Sequence, residues 1–289
     1  MKRAFTSFLL LILLAAPSAR ADGFREAEVR QALDAAGFAA IADRVSAAAR
    51  PAVMIDRQIL SREPSALGTT RLGGQPDLPV GTQWPRCRGL QQSFLGQIRV
   101  RDLPTQAQEL RRLGGTLLFF TVNGSADDEG RYDVWPGLCS AVVHAKAGVP
   151  LRRSSPAQEI VELKPARLRF EVQPDVPGLA VDAERLMAPL RRIAVTDYER
   201  WFEFHDALRG GRDERNHYML GYLGTPLNPD PCATRTDRMR SPWRHLFTID
   251  YDEELGFDIP DAGWLQIAVS PADLKAGRFD RVCSLFNTT

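Results

Sequence analysis

The sequence contains none of the short motifs that identify common enzymes. Its 289 residues include no GxSxG nucleophile elbow, no HExxH zinc helix, no phosphate-binding loop and no GxGxxG turn. Catalytic groups can also be assembled from positions far apart in the chain. The absence of these motifs therefore argues against an enzyme without excluding one.

A long hydrophobic run is also missing. Lys2 and Arg3 precede the apolar stretch FTSFLLLILLAAP, and the small-x-small pattern 19–21 follows it. This pattern predicts a signal peptide over residues 1–21, cleaved between Ala21 and Asp22. The run of about a dozen residues is too short to span a bilayer of roughly 30 Å, so we expect no membrane anchor after cleavage. The expected location is periplasmic or secreted.

The mature chain has little excess of either charge. Removing the leader takes away three basic residues and no acid, which leaves 34 basic and 36 acidic residues and a net charge near −2. Nucleic-acid binding requires a concentrated basic face, so this balance argues against it. The remaining chain is long enough to bury a sizeable core in one large or two modest domains.

Cysteine is scarce and even in number: Cys87, Cys139, Cys232 and Cys283. No CxxC spacing and no cysteine–histidine cluster occurs, so neither a redox motif nor a zinc site is indicated. An even count in an exported chain favours disulfides. We therefore expect disulfides, no metal and no cofactor, and the four cysteines permit three pairings.

The order of periodic segments predicts an α+β fold. Residues 22–66 read as a helical segment followed by a strand, and 67–289 as the main domain. A stretch rich in proline and glycine, 67–89, suggests an ordered surface segment wrapped on the core. The strands that follow predict a largely antiparallel or mixed β-sheet with peripheral helices.

The second part of the chain repeats the pattern of the first. The segments FLGQI, GTLLFF and GLCSAVV are matched in order by LFTID, GWLQIA and RVCSLF. This predicts an internal duplication with halves 67–175 and 216–289, joined by helices within 180–210, although short apolar strands can also resemble one another by chance. With a duplication, Cys139 and Cys283 are equivalent, and the natural pairings are Cys87 with Cys139 and Cys232 with Cys283.

Several segments together resemble a known family. The stretches RLGGQPDLPVGTQWPRC, SFLGQI, GGTLLFF, HYMLGY and DAGWLQIAV are similar to the YwqG-like family, a bacterial group of domains of unknown function, over residues 71–286. Asp261 and Gly263 match its last block, but Ile259 stands where that block has tryptophan. The resemblance implies extensive β-sheet with peripheral helices and carries no activity. Export departs from the family pattern, because its members lack such a leader.

Polar residues within or beside these segments are the candidates for a ligand or partner site. Asp250 and Asp252 open the densest acidic run, which also includes Asp261; such a run can bind Ca²⁺ or supply a general acid and base. Its spacing does not fit an EF-hand, and a solvated loop is the favoured interpretation.

Three further polar residues are weaker candidates. His217 lies beside loops in the segment HYMLGY, where it can pin a loop or face a partner. Gln97 sits inside FLGQI and can form a hydrogen bond within the core, and Asp77 beside Pro76 can cap its own turn. Structural roles are the favoured interpretation of all three.

These observations leave two functional hypotheses. The first is a non-enzymatic exported protein that binds a protein partner, for example an immunity-type protein. The alternative is an envelope enzyme or ligand-binding domain that acts on cell-wall or carbohydrate material, with Asp250, Asp252, Asp261 and His217 near one cleft.

Overall fold

The computed structural model describes residues 26–123, 139–177, 197–208, 217–223, 243–259 and 262–287. These residues contain five α-helices and one 3₁₀ turn, Val100–Asp102. The helices are α1 (Glu26–Ala35), α2 (Ala39–Ala48), α3 (Gln108–Arg111), α4 (Tyr198–Leu208) and α5 (Pro271–Ala276).

The same residues contain fourteen strands. They are β1 (Arg50–Ile59), β2 (Arg71–Leu72), β3 (Asp77–Pro79), β4 (Arg86–Cys87), β5 (Leu90–Gln91), β6 (Ser93–Arg99), β7 (Thr116–Thr121), β8 (Ser140–Ala145), β9 (Leu151–Arg153), β10 (Ala166–Asp175), β11 (Tyr218–Leu220), β12 (Arg244–Asp250), β13 (Trp264–Val269) and β14 (Cys283–Asn287).

Ten of the strands form one antiparallel sheet in the order β14-β13-β12-β11-β1-β10-β2-β6-β7-β8. Strands β3 and β9 form a separate two-stranded ribbon, and β4 and β5 form a short hairpin. The described helices either precede β1 or connect strands of the sheet. The predicted α+β class with a largely antiparallel sheet is confirmed.

The sheet curls around its main core. Phe119 of β7 stacks on Phe247 of β12 with ring centroids 4.5 Å apart, although five strands lie between β7 and β12 in the sheet order. Both residues belong to one cluster of buried side chains that also includes Val53 and Ile55 of the central strand β1. Apolar residues from both ends of the sheet therefore bury one another.

The N-terminal helices pack into a second core. Val29 and Leu33 on α1 are spaced four residues apart and are fully buried, as helical periodicity requires. They join residues of α2 and the rings of Trp201 and Phe204 on α4. Gly37 separates α1 from α2 with φ +83°, a left-handed conformation that glycine adopts without strain.

Strand order and register show two equivalent sets of five strands. A pseudo-two-fold relation maps β1, β2, β6, β7 and β8 onto β10, β11, β12, β13 and β14, in the same chain order. The centre of this relation lies at Asp56 and Arg169, which face each other in the β1–β10 ladder. We call the first set the first half and the second set the second half.

Local irregularities repeat at equivalent positions. A register shift falls between Phe94 and Gly96 in β6 and between His245 and Phe247 in β12. Two consecutive residues with positive φ end the neighbouring short strands: Gly73 and Gly74 after β2, at +59° and +70°, and Leu220 and Gly221 at β11, at +62° and +72°. Such matched irregularities are not expected of two unrelated runs of apolar strands.

The two halves exchange a strand. β1 begins the first half but pairs with β11 of the second half, while β10 begins the second half and pairs with β2 of the first half. β1 and β10 also pair with each other over ten residues. Each half therefore completes its part of the sheet with a strand from the other.

The register corrects the expected equivalence of the cysteines. Cys283 pairs with Ala268, and the residue equivalent to Ala268 is Phe120, which pairs with Ala141. Cys283 is thus equivalent to Ala141, two residues beyond Cys139. The first pair of repeated segments aligns one residue earlier than predicted, because Phe94 corresponds to His245 and not to Leu246, whereas GTLLFF and GWLQIA align as predicted.

One of the two expected disulfides lies within the described residues. Cys87 and Cys139 are bonded, with their Cα atoms 6.2 Å apart, and the bridge joins the β4–β5 hairpin to the start of β8. This pairing is confirmed. Cys232 lies outside the described residues, so the pairing of Cys232 with Cys283 stays a prediction.

Candidate functional site

Asp77 and Gln97 belong to one buried cluster in the first half. We call it the Asp77 cluster: Glu63, Arg71, Asp77, Gln97 and Arg153. Arg71 and Gln97 face each other across β2 and β6, and Asp77 faces Arg153 across the β3–β9 ribbon. The cluster therefore lies where the ribbon meets the sheet.

The Asp77 carboxylate accepts hydrogen bonds from four sides. Its donors are the Gly68 amide at 2.8 Å, Gln97 Nε2 at 2.8 Å, an Arg71 nitrogen at 3.0 Å and Arg153 Nε at 2.9 Å. Burial alone raises the pKa of this carboxyl, but the donors outweigh burial and lower the pKa. In return, Gln97 Oε1 accepts from the Asp77 amide at 3.0 Å.

Arg71 is the most completely buried charge of this cluster. Its side chain has no exposed surface, and besides Asp77 it contacts Glu63 at 3.3 Å, the Thr69 carbonyl at 3.1 Å and the Gln75 carbonyl. Two arginines and two carboxylates balance in charge. The arrangement fastens the ribbon to the sheet and leaves no oxygen of Asp77 facing solvent.

His217 and Asp252 belong to a second cluster, which we call the Asp252 cluster: Arg57, His217, Asp252 and Glu254. Arg57 lies on β1 and holds the Asp252 carboxylate with two nitrogens, at 2.6 Å and 2.5 Å. Its third nitrogen contacts the largely exposed Glu254 at 2.6 Å. A bidentate pair of this kind fixes orientation as well as charge.

Asp252 is held in its charged form. Burial raises the pKa of this carboxyl, but hydrogen bonds from His217, from Arg57 and from the Leu255 amide lower it well below its usual range. The same contacts with Asp252 and Glu254 raise the pKa of Arg57 against its burial. At neutral pH the cluster is therefore a stable ion pair.

His217 uses both ring nitrogens internally. Nδ1 accepts from the Asp250 amide at 3.0 Å, so Nε2 carries the proton and donates it to Asp252 at 3.1 Å. The ring is buried. An imidazole in this tautomer offers no lone pair to a substrate, so His217 cannot act as a general base here.

Of the remaining acidic candidates, the structure describes Asp250 but not Asp261. The Asp250 carboxylate accepts from the Tyr251 amide at 2.9 Å, while only the Asp250 backbone contacts His217. The Asp77 cluster lies beside β2 and the Asp252 cluster beside β11, and the contacts of the described residues do not bring the five described candidates into one cleft.

The two halves use the same hydrogen-bonding device at equivalent positions. Thr70 Oγ1 accepts from the Arg99 amide at 3.0 Å and donates to Asp102 at 2.6 Å. In the second half His217 accepts from the Asp250 amide and donates to Asp252. In each half, a side chain just before the short strand accepts a hydrogen bond from an amide at the end of the adjacent strand. The same side chain donates a hydrogen bond to a carboxylate.

A further polar group is buried in the second half. Gln266 Nε2 donates to the Tyr218 hydroxyl at 2.9 Å and to Thr248 Oγ1 at 3.3 Å, and His245 Nε2 contacts the same Thr248 oxygen at 2.7 Å. By register, Tyr218 is equivalent to Arg71 and Thr248 to Gln97. Gln266 is equivalent to Leu118 and His245 to Phe94. Two of these positions are therefore polar in both halves, whereas Leu118 and Phe94 are apolar.

The arginines of these clusters were missed by the sequence analysis. Arg71 lies in the two-residue strand β2, beside Leu72, and Arg57 lies in the ten-residue strand β1, whose segment AVMIDRQIL is otherwise largely apolar. A charge placed in such a strand indicates a buried partner, and this was the available signal. Arg153 had no comparable signal, because its neighbours are polar.

The described residues offer little room for a small ligand. A cavity beside Trp84, Gln75 and Phe94 has a volume of about 10 Å³, which is near the minimum for one water molecule. No group of three or more histidine, cysteine or acidic side chains is placed to bind a metal within the described ranges.

Fold and clusters together define the class: an α+β protein built on a repeated, strand-exchanged antiparallel sheet, with the charges of its two described clusters paired internally. The family described as Domain of unknown function (DUF1963) matches residues 70–287, and the chain belongs to it. Among curated proteins no significant match was found. None of the described helices is both long and apolar enough to cross a membrane.

Proposed function

We propose that this chain is an exported protein that binds a protein partner in the periplasm or outside the cell and catalyses no reaction. Within its family of unknown function, we place it in the YwqG-like group on the motifs given above. An immunity-type role, in which the partner is an incoming toxin, is one concrete form of the proposal.

The proposal rests on one observation: the polar groups of the candidate residues form their hydrogen bonds with internal partners. His217 spends both nitrogens on Asp250 and Asp252, and Asp77 accepts from four internal donors. An envelope enzyme built on His217 and the acidic run requires a ring nitrogen open to substrate. These contacts favour a protein whose buried charges position loops and whose surface binds the partner.

Export is supported by the leader sequence. The basic start, the short apolar run and the cleavage pattern before Asp22 agree with a secreted or periplasmic chain. The disulfide between Cys87 and Cys139 is the kind of bond that persists in an oxidising compartment. Mass spectrometry of the protein purified from the periplasm tests this, because a chain that begins at Asp22 is expected and a retained leader contradicts export.

A pull-down tests the binding function. The tagged chain 22–289 is incubated with envelope extract from its own cells and from cells challenged by competitors, and bound proteins are identified by mass spectrometry. We expect one partner in stoichiometric amount. No protein above background, in extracts where a known control complex survives, contradicts the proposal.

A further inference from the structure

We propose that the outer end of the β3–β9 ribbon is the docking surface and that it binds an acidic protein surface. This inference rests on the proposed function, since it names the site and the chemistry of the expected partner. We call the surface the ribbon tip and define it by three exposed aliphatic residues, Leu67, Val80 and Val149, with the cations Lys146 and Arg152 beside them.

The apolar part of the ribbon tip is unusually exposed. Among the large apolar residues that the structure describes, five are exposed, and three of these belong to the tip: Leu67 at 47%, Val80 at 60% and Val149 at 39%. Single exposed apolar side chains are ordinary, but a group on one surface marks an interaction site.

Backbone contacts bring these three residues together. The Val80 amide donates to the Pro150 carbonyl at 2.9 Å, which places Val80 beside Val149 at the end of the ribbon. A Cβ atom built on Gly68 would lie 3.1 Å from the Leu151 side chain, so the backbone next to Leu67 passes close to β9. Three separate stretches of chain therefore meet at this end of the ribbon, and each carries one of the exposed aliphatic residues.

Charge identifies the partner. The stretches 61–68, 77–90 and 146–153 contain only two acids, Glu63 and Asp77, and both are paired within the Asp77 cluster. Five exposed cations of the same stretches have no ion-pair partner among the described residues: Arg62, Arg86, Arg88, Lys146 and Arg152. A basic surface beside apolar residues is complementary to an acidic protein surface, although the mature chain as a whole is slightly acidic.

The Asp77 cluster makes this surface rigid. Arg153 joins Asp77 directly across the ribbon, and Asp77 is tied to the sheet through Arg71 and Gln97. A docking surface held in its bound shape loses less conformational entropy on binding. The buried charges and the exposed tip are thus parts of one arrangement.

Site-specific photo-crosslinking in intact cells tests the proposal. The photoreactive amino acid p-benzoylphenylalanine is placed at Val80, at Val149 and, as a control, at exposed Gln58 on the central strand β1. We expect one protein adduct at both tip positions and none at the control. Mapping of the adduct should place the crosslink in an acidic segment of the partner.

Charge variants of the tip complete the test. Lys146→Glu combined with Arg152→Glu should lower the adduct yield about tenfold at low salt, because steering by opposite charges is lost. Lys146→Arg combined with Arg152→Lys should preserve it. Equal thermal unfolding of both double variants shows that neither acts through folding.

Four results overturn the inference. A protein adduct at Gln58 without one at the tip leaves protein binding intact and rejects the ribbon tip. The absence of any adduct and of any pull-down partner rejects the proposed function as well. An adduct with a second copy of the chain, or charge-dependent binding to phosphatidylglycerol vesicles without a protein adduct, replaces the acidic partner with another occupant.

Discussion

The Asp77 cluster and the Asp252 cluster hold their charges in different ways, although both stand beside equivalent short strands. In the Asp77 cluster a fully buried arginine, Arg71, meets a carboxylate that also fastens a separate ribbon. In the Asp252 cluster the arginine, Arg57, keeps 9% of its side chain exposed, and a histidine supplies the third contact. The repeat has thus kept a backbone arrangement while its two halves acquired different side-chain chemistry.

Acid should have the largest effect, because it acts on both clusters. Asp77 and Asp252 have lowered pKa values in the folded chain, so the stability they give is present above the unfolded pKa of about 3.9 and is lost as pH falls toward the folded values. We expect the free energy of unfolding to fall steeply below about pH 5.

Denaturant titrations at a series of pH values measure this loss. Asp77→Asn and Asp252→Asn should each reduce the slope of the unfolding free energy against pH below about pH 5, because each removes one carboxyl with a lowered pKa. If this slope is unchanged in both variants, the loss of stability in acid does not come from these two carboxylates.

Removal of one carboxylate should distinguish the clusters at neutral pH. Asp77→Ala should cost about 4 kcal/mol of unfolding free energy, because Arg71 is left buried without its partner. Asp252→Ala should cost about 3 kcal/mol, since Arg57 can turn toward solvent and keeps Glu254. Chemical denaturation measures both values.

The control for these variants is Asp43, whose side chain is 77% exposed. Asp43→Ala should change the unfolding free energy by less than about 0.5 kcal/mol. A larger loss for Asp252→Ala than for Asp77→Ala would show that exposure of the arginine does not decide the difference.

Glycine substitution should separate steric overlap from backbone strain. Gly73 has positive φ, and a Cβ atom there would overlap the carbonyl oxygen of Lys164, which belongs to the backbone. Gly73→Ala should therefore cost about 3 kcal/mol. Gly81 also has positive φ but has open space around it, so Gly81→Ala should cost only about 1 kcal/mol. Thermal unfolding of the two variants measures the difference, and equal losses would refute the overlap.

The smallest expected difference concerns the shared capping device. His217→Ala should cost about 2 kcal/mol, because the buried Asp250 amide and Asp252 lose a partner, while Thr70→Val at the more exposed equivalent position should cost about 1 kcal/mol. His217→Thr installs the residue of the first half and should recover part of the loss. Urea unfolding provides the comparison, and no recovery would show that the two positions are not interchangeable.

Much of the fold was predictable because apolar periodicity follows burial directly. The segments around Phe94, Gly115 and Gly263 gave strands in the correct order, and Gly115 and Gly263 do stand at equivalent positions, each accepting from an amide of the preceding loop at 3.0 Å. The bridge between Cys87 and Cys139 was also predicted correctly. Its supporting argument, the equivalence of Cys139 and Cys283, was two residues out of register.

The strand exchange and the ion pairs were not predictable from the same patterns. A strand's sequence shows which face it buries but not which neighbour it pairs with, so nothing assigned β10 to β2 or β1 to β11. Asp252 was read as part of a solvated loop because its partner, Arg57, lies 195 residues earlier in the chain. Such distant contacts leave no local signal beyond a charge in an apolar strand.

The exchanged strands also determine when the chain can fold. Ala52 pairs with Leu220, so the ladder between β1 and β11 closes only after at least 220 of the 289 residues have been made. Pairings between residues this far apart in the chain delay folding, because the entropy of closing the loop is lost before the contacts form. We therefore expect the β11-facing edge of β1 to stay unpaired in early chain fragments, and the sheet to be complete only once both halves are present.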